Sequence, residues 1–128
     1  MRGEDLKLDL NSDKPIFLQI SEEIEDGIFT GAFPEETQIP STTEISTAFK
    51  INPATVLKGM NQLVDEGFIY KKRGVGIFVT AGAAVQVKKK RQHEFYQKYV
   101  ESLLREAKKL MLSKNDIFEL IERGFEDE

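Results

Sequence analysis

The run Asn52–Val79, NPATVLKGMNQLVDEGFIYKKRGVGIFV, constrains the fold more than any other part of this chain. Asn52 is a strong helix N-cap, and Pro53 suits the first helical position, where a missing N–H costs nothing. Ile51 is placed to staple onto Val56. At the far end Gly67 suits the left-handed position just past a helix, with Phe68 able to fold back onto Leu63. Val56, Met60, Leu63 and Val64 then make an inner face, and Ala54, Thr55, Lys58, Asn61 and Gln62 an outer one. Phe68-Ile69-Tyr70 and Ile77-Phe78-Val79 are aromatic and β-branched and read as two strands, with Lys71 to Gly76 as a basic turn carrying two glycines.

The segments upstream fit around that unit. Pro15 opens and Gly31 closes a helix whose buried stripe is Phe17, Ile20, Ile24 and Ile28, with Glu22, Glu25 and Asp26 on a solvated side. Ala32 to Pro40 reads as a loop. Ser-Thr-Thr-Glu at 41–44 is a capping box, Ser41 accepting from the Glu44 N–H and the Glu44 carboxylate reaching back. It opens a two-turn helix with Ile45, Ala48 and Phe49 inward, interrupted at Lys50-Ile51-Asn52-Pro53. The fold class expected is mainly α with a small β-hairpin wing. In this winged helix-turn-helix, the helix after Asn52 is small and polar enough at its start to enter a DNA groove about 12 Å wide.

Downstream, Gly82 and its small neighbours look like a hinge. Helical patterning resumes from about Lys88 to Leu112, where Tyr96, Val100, Leu103, Ala107 and Leu110 recur at helical steps and Phe95, Tyr99, Leu104 and Met111 widen the stripe. Ser113 with Asp116 marks another N-terminus, and a short helix carries Ile117, Phe118, Leu120 and Ile121 before Gly124. A helix with so much apolar surface must bury it, so Tyr96, Val100, Leu103, Ala107, Leu110, Ile117, Leu120 and Ile121 are the expected homodimer seam. The expected division is a DNA-binding domain over 10–82 and a two-helix dimerisation tail over 83–128.

The net charge of −4 does not by itself suggest nucleic acid. Its distribution does. Lys50, Lys58, Lys71, Lys72 and Arg73 outweigh Asp65 and Glu66 around the helix and hairpin, while acids gather at Glu22, Glu23, Glu25 and Asp26. One basic face on an acidic body implies moderate, salt-sensitive DNA binding. The chain has no cysteine, which excludes disulfides and thiolate chemistry. No window is long and apolar enough for a signal peptide or membrane span, so a cytoplasmic protein with no membrane partner is expected. His93 is the single histidine and lacks companions for a metal site. No phosphate-binding Gly-rich loop or pocketed acid pair is evident, so neither an enzyme nor a cofactor is expected. The run Lys88-Lys89-Lys90-Arg91 reads as a solvated helix start, with a supplementary phosphate contact as the alternative.

Three stretches, PIFLQISEEIEDGIFTGAF, IPSTTEISTAFKINPATV and LVDEGFIYKKRGVGIFV, resemble the N-terminal winged-helix domain of GntR transcriptional regulators over about residues 14–80. NPATV and the short two-helix tail resemble the YtrA subfamily within it. The resemblance implies a bacterial dimeric regulator, usually a repressor of its own operon, often one encoding ABC transporter components. It places Ser41, Thr42 and Thr43 against phosphate and Asn52, Ala54, Thr55, Lys58 and Asn61 at the recognition helix. Lys72, Arg73, Gly74 and Gly76 fall in the wing near the minor groove. The family usually has arginine at the position of Thr43 and threonine at that of Ile77. The tail is too short for the effector domain of larger members. An effector would bind between subunits or near Gly82. The rival reading is a winged-helix protein-interaction module without DNA.

Overall fold

The computed structural model describes residues 3–127, so the expected C-terminal segment is seen as far as Asp127. Six α-helices and three short strands follow one another in the order α1 (Ile16–Thr30), β1 (Gln38–Ile39), α2 (Thr42–Phe49), α3 (Pro53–Asp65), β2 (Ile69–Lys72), β3 (Gly76–Val79), α4 (Ala83–Phe95), α5 (Glu101–Lys109) and α6 (Lys114–Glu126). A 3-10 turn at Gly3–Asp5 precedes them, and a π-helical turn at Tyr96–Val100 joins α4 to α5. The chain divides into two compact units between Lys89 and Lys90, within α4.

In the first unit α1 supplies Ile20, Ile24 and Ile28 to a core shared with Ile45 of α2 and Val56, Met60 and Leu63 of α3. Burial of α1 extends beyond the expected isoleucine stripe. Ser21 and Glu25 are enclosed, Glu25 being only 7% exposed, so the expectation of a solvated Glu25 is corrected. Gln19 is buried too and ties the N-terminal segment down: its Nε2 donates to the Asp9 and Lys14 carbonyls, and its Oε1 accepts from the Asp9 N–H. After α1 the chain turns back at Phe33, whose ring fills the room a side chain at Gly27 would take.

The helix ends follow from their residues. Ser41 Oγ accepts from the Glu44 N–H at 3.0 Å and opens α2, although only this half of the expected capping box forms. Ala48, expected inside, is exposed, and Ile45 is the buried anchor of this short helix. Asn52 and Pro53 start α3 as its N-cap and first residue. At its far end the Phe68 N–H reaches the Leu63 carbonyl and the Gly67 N–H that of Val64, the paired bonds of a left-handed helix stop.

The segment expected as a loop before Pro40 contains β1, too short to show an alternating pattern. It adds to the hairpin, giving an antiparallel sheet in the order β1-β3-β2, with Gln38 opposite Phe78 and Tyr70 opposite Phe78 from the other side. The small residues after Gly82 form the first turn of α4 where a hinge was expected, and Ala83 and Val87 are buried with the core.

Helical structure begins at Ala83, earlier than the expected Lys88, and in the second unit it continues through the π turn into α5. The capping box between Ser113 and Asp116 is complete, and its hydrogen bonds hold the Asp116 carboxyl below the usual aspartate range. Gly124 does not end α6, which runs on to Glu126. Among the described residues no helix is long and apolar enough to cross a membrane.

Candidate nucleic-acid interface

The orientation of α3 is set from its buried side. A Cβ on Gly59 would lie 2.7 Å from the Phe17 carbonyl oxygen, so α1 and α3 cross with their backbones nearly touching. With Val56, Met60 and Leu63 turned to the core, Ala54, Leu57, Lys58 and Asn61 face outward. Together with Phe17, Gln62 and Asp65 they line an open concavity of roughly 440 Å³. Phe17, expected as core, is only half-buried. Its ring carries the Lys58 ammonium 4.0 Å from the centroid, a geometry in which the π face attracts the cation. At the start of α3 the Asn52 side chain accepts from the Ala54 N–H at 2.9 Å, and Thr55 is half-buried.

The wing is braced from β1. The turn closes by a bond from the Val75 N–H to the Lys72 carbonyl, with Gly74 at φ +75°, the conformation a type II turn needs at its third residue. Arg73 is exposed at the tip. Gln38 Nε2 donates to the Val75 carbonyl at 3.1 Å, and any side chain on Gly76 would collide with that amide. Across the sheet Tyr70 stacks on Phe78, and the Lys72 ammonium stands 5.5 Å from the Phe78 centroid. Tyr70 donates to the Glu36 carboxylate at 3.1 Å. Burial, that hydrogen bond and the nearby negative charge all raise its phenol above the usual tyrosine range.

Helix and wing are joined directly. Lys71 Nζ of β2 donates to Asn61 Oδ1 of α3 at 3.0 Å, bringing one residue expected in the groove against one that sequence reasoning left out of the site. Ser41, Thr42 and Thr43 stand at the N-terminus of α2, with Thr43 exposed and the other two half-exposed. Free N–H groups and hydroxyls at a helix start suit an anion. Chemically, then, the surface offers cations and hydrogen-bond donors around one exposed helix.

Phe17, Gln38, Leu57 and Lys71 were missed as site residues. Leu57 could have been read from the helical wheel of α3, since it lies beside Lys58 on the outer stripe. Lys71 was read only as part of the basic hairpin, and its partner, like those of Phe17 and Gln38, is distant in sequence and left no local signal.

Within the second unit, Leu103, Ala107, Leu110, Ile117, Leu120 and Ile121 line one open apolar groove of roughly 450 Å³. All are half-buried or exposed apart from Ala107, which the hairpin itself covers. Tyr96 and Val100, expected on the same stripe, do not line it: both fall in the π turn, which takes more residues per turn and breaks the helical phase on which that stripe was counted.

Comparison with known proteins points the same way. Residues 17–79 match the bacterial regulatory proteins of the gntR family. A solved structure of a GntR-family transcriptional regulator from Bacteroides thetaiotaomicron is 32% identical with a TM-score of 0.74, covering 88% of this chain and 97% of that one. An AraR DNA-binding domain solved in complex with an operator is 30% identical with a TM-score of 0.52, covering 59% of this chain and 93% of that one. The transcriptional repressor YtrA of Bacillus subtilis is 31% identical over 78 residues, 61% of this chain and 60% of that protein. The chain spans only 18% to 31% of the length of the larger curated relatives it matches. These relatives are transcriptional regulators, not enzymes.

Proposed function

The chain belongs to the GntR family of bacterial regulatory proteins, and on that premise we propose that it is a YtrA-type, cytoplasmic, homodimeric repressor of an inverted-repeat operator. Residues 10–82 carry DNA binding and 83–128 carry pairing, with Ala83 and Val87 of α4 completing the winged-helix core. Ala54, Thr55, Lys58 and Asn61 enter a major groove, beginning at the capped Asn52. Ser41, Thr42 and Thr43 meet phosphate at the start of α2. Lys72 and Arg73 lie at the flanking minor groove, where Gly74 shapes the turn and Gly76 leaves room for its brace.

The observation that carries this reading is the Lys71–Asn61 bond, which makes the exposed stripe of α3 and the basic wing one surface. A two-fold dimer would set the half-sites about one helical turn, ~34–36 Å, apart or a multiple of it. Repression would follow from occluding polymerase. By the resemblance to YtrA regulators, the controlled genes are an operon encoding ABC transporter components.

Salt dependence tests the reading. Each phosphate neutralised contributes roughly 0.9 to the log–log slope of affinity against salt, so the Lys58→Ala, Arg73→Ala double variant should lower it by about 2. An unchanged slope, or a wild-type protein that holds no duplex in dilute salt, favours a protein-interaction module built on the same fold.

A further inference from the structure

Asn61 and Lys71 belong to different elements, yet they meet at 3.0 Å between the Asn61 Oδ1 and Lys71 Nζ atoms. An ammonium carries three donors and no acceptor, so the amide atom facing it has to be the oxygen. The pairing engages the carbonyl of Asn61 and leaves its NH₂ group, with the remaining ammonium hydrogens, to face a ligand. Both residues are exposed.

That changes what Asn61 can read. An unconstrained asparagine recognises adenine by using both ends of its amide, accepting from N6 and donating to N7. The oxygen keeps a second lone pair, but the ammonium beside it adds a positive charge and donor hydrogens. These repel the N6 amine of adenine and attract the O6 of guanine, so that two-ended pairing is disfavoured. Lys58, three residues earlier on the same outward stripe and so about 4.5 Å along the helix axis, also offers donors alone. Asp65, one turn beyond Asn61, is the next charged side chain lining the concavity and brings an acceptor. Between Lys58 and Asp65 the half-buried Gln62 amide brings both a donor and an acceptor, but the charged groups there, Lys58 and the Lys71 ammonium on Asn61, offer donors alone. Guanine is the base whose major-groove edge carries two acceptors, N7 and O6, with no donor between them.

We infer that Lys71 is a specificity-determining residue: by holding the Asn61 carbonyl and setting an ammonium beside it, it biases a side chain suited to adenine toward a guanine edge. The inference rests on the DNA-binding reading and adds to it the base and the residue that sets it.

Selection of bound duplexes from a random pool tests it, run on wild type, Lys71→Met, Lys71→Arg and Asn61→Asp. The wild-type motif should carry a preferred guanine at one position of each half-site. In Lys71→Met the freed amide should shift that position to adenine, the guanine-over-adenine preference falling about tenfold or more while the rest of the motif persists. Lys71→Arg, which still donates to the carbonyl, should keep guanine. In Asn61→Asp the carboxylate should move the position toward cytosine, whose N4 is a donor. A Lys71→Met motif identical to wild type overturns the inference, even if overall affinity falls, because uniform weakening is what a phosphate contact gives. So does a wild-type preference for adenine at the Asn61 position. A wild type that enriches no motif overturns the DNA-binding reading itself, a result distinct from an unchanged motif in the variant.

Discussion

At the scale of single residues, Gly59 decides how α3 sits against α1. Alanine there would push a methyl group to 2.7 Å from the Phe17 carbonyl oxygen, and a backbone oxygen cannot rotate aside as a side chain can. Overpacking of this kind costs about 1–3 kcal/mol, and the rigid neighbour puts this site toward the upper end. The better helix propensity of alanine offsets roughly 1 kcal/mol. Gly59→Ala should therefore lower the midpoint of urea unfolding, and DNA affinity should fall further than the loss of folded protein explains, because α3 must tilt to relieve the clash. A variant as stable as wild type would mean that the two helices slide apart freely. Residues that act through near neighbours were legible in the sequence: Asn52, Pro53 and Gly67 each do locally what their chemistry requires. Phe17 under Lys58, Gln38 against Val75 and Lys71 on Asn61 were not, because each pair joins elements that only the folded chain brings together. Glu25 was misjudged because the packing around α1 covers a wider arc than its isoleucines mark.

At the scale of elements, the stop of α5 repeats the geometry of the stop of α3 with a different residue. The Leu112 N–H bonds the Ala107 carbonyl and the Met111 N–H that of Lys108, as Phe68 and Gly67 do at the end of α3. The left-handed position is held by Met111 at φ +58°, and its side chain is 89% exposed. A non-glycine residue in that region costs about 1–2 kcal/mol, and so exposed a side chain contributes little packing in return. Met111→Gly should therefore stabilise the hairpin of α5 and α6 by about 1 kcal/mol, less whatever glycine loses by greater freedom when unfolded. Hydrogen exchange at the amides of Leu112 and of the first turn of α6 reads this directly. Faster exchange in the variant would show that the methionine side chain contributes to the turn after all. Helices with marked ends were legible in the sequence. The strand β1, the π turn and the continuation of α6 through Gly124 were not: two residues carry no period, one widened turn looks like ordinary helix, and an exposed glycine is an ambiguous stop.

At the scale of the whole molecule, the two units pose different stability problems. Residues up to Lys89 enclose a core of fully buried isoleucine, valine, leucine and methionine side chains. Beyond Lys89, Ala107 is the one apolar residue described as buried, while Leu103, Leu110, Phe118, Leu120 and Ile121 stand open around or beside the groove. Helices this short gain most of their stability from packing, so the hairpin needs another surface to cover it. On the proposed pairing, a second copy of the same hairpin would answer that need and, by joining two copies of α3, would make operator binding bivalent. Replacing Leu103 and Ile121 by glutamate places charge in the groove on both of its walls. The variant should sediment as a monomer at concentrations where wild type is dimeric, and its operator affinity should fall by about 10²–10⁴, the range that linking two sites supplies. Its winged-helix unit should still melt cooperatively, since neither substitution touches that core. Binding to a single half-site should be nearly unchanged, separating loss of pairing from loss of recognition. A wild-type protein that is already monomeric at micromolar concentration, or a charged variant that binds the full operator as tightly as wild type, would show that the exposed face of the tail serves something other than pairing.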